Sequence, residues 1–158
     1  MRLLDVCCGP GYGAGQAAER GLDAVGIDLS PAMISEARQR FPSAEFRVGD
    51  AEQLQFDDGS FDAVVCPFGV LHLPEPDTAF AEAFRVFRPG WRYGLTVWCT
   101  PDKAEFRGLA MKATSAHADM GVPLPPAPPL FRFVDLGLAS AALCRRSWFV
   151  VITTIKLP

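Results

Sequence analysis

Through residues 2–100 the chain alternates short apolar runs with stretches whose apolar positions recur at helical spacing. Residues 3–8, apolar except for Asp5, end against Gly9, Gly11, Gly13 and Gly15. This predicts a buried strand turning tightly into a helix that begins near Gly13 and continues to Arg20, with Gly21 placed for a left-handed cap. Asp23–Asp28 reads as a second buried strand that ends on a carboxylate. Ser30 and Pro31 then open a helix as N-cap and first-turn proline, and Met33, Ile34, Ala37 and Phe41 give it one apolar face before Pro42 ends it. Residues 45–49 predict a third strand, followed by Asp50, Ala51 and Glu52. A turn at 57–60 leads to a fourth strand over 61–66 and a loop over 67–76. Residues 78–88 carry Phe80, Phe84 and Phe87 on one helical face and stop at Pro89-Gly90, after which 92–100 form a fifth strand.

Strands and helices alternating at such short intervals imply right-handed crossovers and an α/β fold, a mostly parallel sheet with helices on both faces. Ligands on such sheets bind beyond the carboxyl ends of the strands. Asp5, Gly9, Gly11, Asp28, Asp50 and Cys66 all fall at or just past those ends, on one rim. Beyond strand five the pattern weakens. Residues 103–120 suit a helix, the five prolines of 123–129 a stiff extended link, 131–148 a further helix, and 149–157 a strand.

Size and composition narrow the picture. A chain of 158 residues, 49% hydrophobic and 21% charged, is expected to be one globular domain, here with a core over 2–100 and a divergent part over 101–158. A net charge of −3 supplies no electrostatic reason for a nucleic-acid or membrane partner. Five cysteines, at 7, 8, 66, 99 and 144, form no CxxC pair and leave one over, so neither a disulfide framework nor a metal site is expected, and reduced thiols point to the cytoplasm. The apolar run after Met1 is too short for a signal peptide, and no segment approaches a membrane span.

The chemistry gathers at the first turn. Glycines without a Cβ let a ligand approach the backbone, and the helix that follows points free N–H groups at it. A carboxylate ending strand two, Asp28, stands about 20 residues further on, where ribose hydroxyls can donate to it. That much suits NAD, FAD and S-adenosylmethionine equally. No glycine triplet matches G-x-G-x-x-G, because position 14 is Ala, although Ala is tolerated in that last place.

The ordered set is more specific. Leu3-Leu4-Asp5 through Gly9-Pro10-Gly11, then Val25 to Asp28 and Met33, Gly49-Asp50-Ala51-Glu52, Phe61-Asp62, and Arg85 to Pro89-Gly90 resembles the class I S-adenosylmethionine-dependent methyltransferases. It is most similar to the small-molecule group that includes quinone-biosynthesis enzymes. The resemblance covers residues 2–100, and 123–133 more loosely. It implies a Rossmann-like fold with S-adenosylmethionine as cofactor. Asp5 and the turn from Gly9 to Gly11 would hold the methionine end, Asp28 the ribose, Asp50 and the backbone of Ala51 the adenine, Leu29 and Met33 the ring faces, and Cys66 the wall near the sulfonium. His72, just past strand four, is placed for a substrate-side base.

Plainer roles stand beside these. Asp28 also suits a helix cap, Asp50 and Glu52 ordinary loop carboxylates, Cys66 an apolar lining residue, and His72 a loop-packing side chain. The sequence departs from the family where Cys7 replaces a usual glycine and Trp91 follows Pro89-Gly90, which implies a distorted start to strand five. Strand one begins at once, without the family's covering N-terminal helices, and a single terminal strand replaces its closing pair, so the resemblance implies a fold shortened at both ends. Uncovered apolar surface and a bare edge at 149–157 would favour a homodimer. Three functions follow: a methyltransferase acting on a small-molecule acceptor, a catalytically silent S-adenosylmethionine-binding partner subunit, and a dinucleotide-binding oxidoreductase. Cys66-Pro67-Phe68 offers no acceptor for a nucleobase amine, and the cysteine spacing does not support the paired reactive thiols that arsenic methylation wants.

Overall fold

The computed structural model describes residues 1–98, 105–118, 133 and 149–155. Its elements run β1 (Arg2–Val6), α1 (Tyr12–Glu19), β2 (Asp23–Asp28), α2 (Pro31–Arg40), β3 (Glu45–Val48), β4 (Phe61–Pro67), a 3-10 turn (Val70–His72), α3 (Pro76–Val86), β5 (Phe87–Trp98), α4 (Glu105–His117) and β6 (Phe149–Ile155). The strands form one sheet in the order β3-β2-β1-β4-β5-β6, every neighbouring pair parallel. The order turns back at β1 and β4, whose carboxyl ends flank the crevice where such folds take ligands.

Each sheet face is buried by helices. On one side Ala14 of α1 and Ile34 and Ala37 of α2 pack with Ala24 and Phe46 of the sheet. On the other, Ala79, Phe80, Ala83 and Val86 of α3 meet Leu4, Val25, Val64 and Tyr93. The helix ends follow their sequence signals. Ser30 accepts from the Met33 N–H at 3.4 Å with Pro31 behind it, and Gly21, at φ 83°, donates to the Ala18 carbonyl at 2.8 Å.

Two boundaries differ from expectation. The helix predicted over 78–88 starts two residues earlier and ends at Val86, and β5 begins directly at Phe87 rather than at Arg92. Phe87 is buried and pairs with Phe61, so tertiary contact takes it from the helix. Ala63 then pairs with Arg92, so two steps along β4 match five along β5. Pro89, which has no N–H to give a ladder, falls in that slipped stretch, and the distorted start of strand five is thereby observed.

The β3–β4 connection is held from α3. Arg85 donates at 2.8 Å to the carbonyls of Leu54 and Phe56 and to the carboxylates of Asp58 and Glu82, while Glu82 accepts from the Leu54 N–H at 2.8 Å. Phe133 is buried against Phe80, ring centroids 5.5 Å apart. The proline-rich link over 123–129, and the helix expected over 131–148 apart from Phe133, lie outside the described residues. Among the described residues no helix is long and apolar enough to cross a membrane.

Candidate functional site

Just past Val6 the backbone bends into the left-handed region at Cys7 (φ 57°), Gly9 (φ 53°) and Gly11 (φ 85°) before α1 begins. The two glycines serve opposite sides of the turn. A Cβ on Gly9 would meet nothing within 4 Å, so this backbone faces open space, whereas one on Gly11 would stand 2.7 Å from Ala37 and Phe46. The Gly9 backbone is thus open on its outer side, and Gly11 lets α1 close on α2 and β3. The Gly9 N–H donates to Asp28 Oδ2 at 2.9 Å, and Asp28 Oδ1 accepts from the Ser30 N–H at 2.9 Å. The carboxylate ties the β1 turn to the start of α2 and keeps lone pairs for further donors. The cap of α2 is Ser30 and not Asp28, whose bonds go to the cap residue's own N–H and to Gly9.

Asp50 follows β3 on an exposed loop, where its Oδ1 accepts from the Glu52 N–H at 2.8 Å, and Gly49 donates to the Asp28 carbonyl at 3.0 Å. The ends of β2 and β3 are therefore joined, and both acids line a single cavity of about 380 Å³. Cys7, Leu29, Ala51 and Glu52 share that lining, and the loop after β4 supplies Pro67, Phe68, Gly69, His72, Leu73 and Pro74 as the facing wall. Glu52 straps the walls together, its Oε1 accepting from the Glu75 N–H at 2.7 Å. Phe68 is held at φ 62°, a conformation unusual for a bulky residue, and its ring stacks on Trp98 at 4.5 Å. His72 is exposed on this wall.

Of the residues expected at the site, the structure brings Asp28, Leu29, Asp50, Ala51 and His72 together around this cavity, and Gly9 adjoins it through Asp28. Asp5, Gly11, Met33 and Cys66 are not among its lining residues. Asp5 lies under the turn, 1% exposed, with Oδ2 accepting from the Ala14 N–H at 2.8 Å. Its Oδ2 thus braces the turn from below, while Oδ1 is buried without a hydrogen-bond partner among the described residues. Burial pushes its carboxyl up to about 7 against the lowering effect of the Ala14 N–H, with the Asp28 charge adding to the rise. Met33 sits partly exposed in the first turn of α2, and Cys66 lies behind Cys7, 1% exposed. A hydrogen bond with Cys7 and burial hold the Cys66 thiol well above the ordinary range.

Cys7, Glu52, Phe68 and Gly69 line the cavity beyond the site residues expected from the sequence. For Cys7 the signal was present, since it occupies a usual glycine position and adopts a glycine-like φ. Phe68 carried no signal, because nothing in local sequence marks a phenylalanine for φ above zero.

A model of a methyltransferase domain matches residues 3–90. The chain belongs to this methyltransferase-domain family. A demethylmenaquinone methyltransferase from Beutenbergia cavernae is 39% identical over 108 residues, which are 68% of this chain and 45% of that protein. The chain thus spans less than half the length of that relative. The crystal structure of a protein from Pyrococcus horikoshii superposes with a TM-score of 0.56 at 35% identity, covering 58% of this chain and 46% of the other. A phosphoethanolamine N-methyltransferase from Haemonchus contortus, solved with phosphomonomethylethanolamine and S-adenosylhomocysteine, gives a TM-score of 0.55 at 34% identity, over 58% of this chain and 23% of that one. This methyltransferase domain has the Rossmann-like parallel sheet of those structures.

Proposed function

We propose that this methyltransferase domain binds S-adenosylmethionine in the Asp28–Asp50 cavity and transfers its methyl group to a small-molecule acceptor. The observation that carries the reading is that acids from the ends of β2 and β3 line one cavity, with Asp28 bonded to the open Gly9 backbone. The residues fit the cofactor's groups. Asp28 has lone pairs for the ribose hydroxyls, Asp50 accepts from the adenine amine, Leu29 stands exposed for the ring, and the Gly9 turn leaves room for the amino-acid end. When bound, the cofactor supplies an electrophilic methyl carbon on a sulfonium.

The protein's contribution is mainly to hold an acceptor in line with that carbon, since orientation alone supplies most of such an acceleration. The wall formed by Phe68, backed by Trp98, gives a flat apolar neighbour to a ring acceptor of the kind named for the Beutenbergia cavernae relative. His72 on the same wall takes the proton of an acceptor that retains one. The same reading has residues 1–158 as one domain, cytoplasmic, and paired with a second copy across the β6 edge, which sedimentation at high concentration tests.

Calorimetry with S-adenosylhomocysteine and with NAD decides the cofactor. Binding of the first and not the second is expected, and the reverse result would establish the dinucleotide reading instead. Methyl turnover on quinol and phenol acceptors then separates an enzyme from a silent cofactor-binding subunit.

A further inference from the structure

Cysteines 7 and 66 stand far apart in sequence and form no recognisable motif, yet the fold brings them together. Cys7 follows β1 and Cys66 ends β4, and the parallel register of these strands, Asp5 opposite Val65, sets Cys66 next to Val6 and Cys7. The sulfurs of both residues lie 3.0 Å from the point a Cβ on Gly69 would occupy, and the Cys7 Cβ is closer still. Gly69 has no side chain to come between them. Since each lies 3.0 Å from that one point, the two sulfurs are no more than 6.0 Å apart. They differ in access: Cys7 is half-buried and lines the cavity, whereas Cys66 is 1% exposed behind it.

We infer that Cys7 and Cys66 form a redox dithiol in the cavity wall, which hydrogen peroxide closes to a disulfide and thiol reductants reopen. Cys7 reacts first because peroxide reaches it through the cavity. Its sulfur takes one peroxide oxygen to give a sulfenic acid, and the other oxygen leaves as water. The Cys66 sulfur then attacks the Cys7 sulfur, forming the S–S bond and releasing a second water that carries the Cys66 proton. Two thiols are oxidised and one peroxide reduced. The cross-link draws the β1 turn, with Gly9 and its bond to Asp28, toward β4 and so narrows the cavity. This consequence for ligand affinity rests on the cofactor reading above, and the cross-link itself does not.

The test is peptide mapping by mass spectrometry after peroxide treatment of the full chain. A Cys7–Cys66 linked peptide, short of two hydrogens and restored by dithiothreitol, is expected. Linkage through Cys8, Cys99 or Cys144 instead, or no linkage, overturns the inference. In a Cys66→Ser variant, dimedone is expected to trap a sulfenic acid at Cys7, and an unlabelled Cys7 likewise overturns it. The oxidised protein should bind S-adenosylhomocysteine about tenfold more weakly than the reduced one, and equal affinities remove the link to the cavity. A reduced protein that fails to bind at all counts against the cofactor reading and leaves the cross-link to decide the dithiol.

Discussion

At the scale of single residues, the left-handed Cys7 sets a measurable strain. A non-glycine residue at φ 57° costs about 1–2 kcal/mol relative to its ordinary conformations, and glycine does not pay it. Cys7→Gly is therefore expected to be about 1 kcal/mol more stable than Cys7→Ala in urea unfolding, because both remove the thiol and only one keeps the Cβ. Equal midpoints would show that the turn adapts. Asp5 makes a second prediction, in pH. Its folded value of about 7 lies above the ordinary 3.8, so between the two the folded state holds a proton that the unfolded chain gives up. The resulting stabilisation is complete below the ordinary value and is lost as pH rises through about 7. Wild type should lose a few kcal/mol, in order of magnitude, relative to Asp5→Asn between about pH 4 and pH 8; parallel profiles would contradict this. Sequence placed Asp5, Asp28 and Asp50 on one rim because strand ends are legible from apolar runs. It did not separate the acid under the turn from the acids lining the cavity, since burial of one side chain depends on how closely α1 sits on the sheet.

At the scale of elements, that closeness is set by contacts between segments remote in sequence. A Cβ on Gly15 would stand 2.1 Å from Cγ of the Phe41 ring, so α1 and the end of α2 meet through a glycine. Gly15→Ala is expected to cost roughly 1–3 kcal/mol through overpacking, despite alanine's better helix propensity. In the double variant with Phe41→Ala, the added methyl should cost little or nothing, giving a coupling energy of the same order. Thermal or urea melts of the four proteins check this, and additive costs would mean the contact is not the cause. Gly15 shows where sequence reading stops: the spacing of four glycines announced a turn, while the reason for each lies in a different partner. Helix starts at Ser30-Pro31 and the left-handed Gly21 were readable because caps are local chemistry. The end of α3 was not, because pairing with Phe61 claims Phe87 for the sheet.

At the scale of the whole molecule, the alternation of strands and helices was enough to yield the parallel sheet and its ligand-bearing rim. The wall after β4 and the pairing of Cys7 with Cys66 were hidden, because both arise only once β1 and β4 lie side by side. That arrangement makes the cavity a junction of three parts: the β1 turn, the joined ends of β2 and β3, and the loop after β4. A ligand bridging them binds only the folded state, so saturation at about a hundred times Kd should add roughly 2.7 kcal/mol and raise Tm by several degrees. S-adenosylhomocysteine is expected to do this and NAD not. The two acids should then separate by what else they hold. Asp28 accepts from Gly9 and Ser30, so Asp28→Ala should lower the Tm of the free protein as well as abolish most of the ligand shift. Among the described residues Asp50 accepts a local N–H on an exposed loop, so Asp50→Ala should leave the free Tm within about a degree of wild type while cutting the shift. If Asp50→Ala retained the full shift, the nucleoside would not lie along β2 and β3, and the cavity would need another occupant.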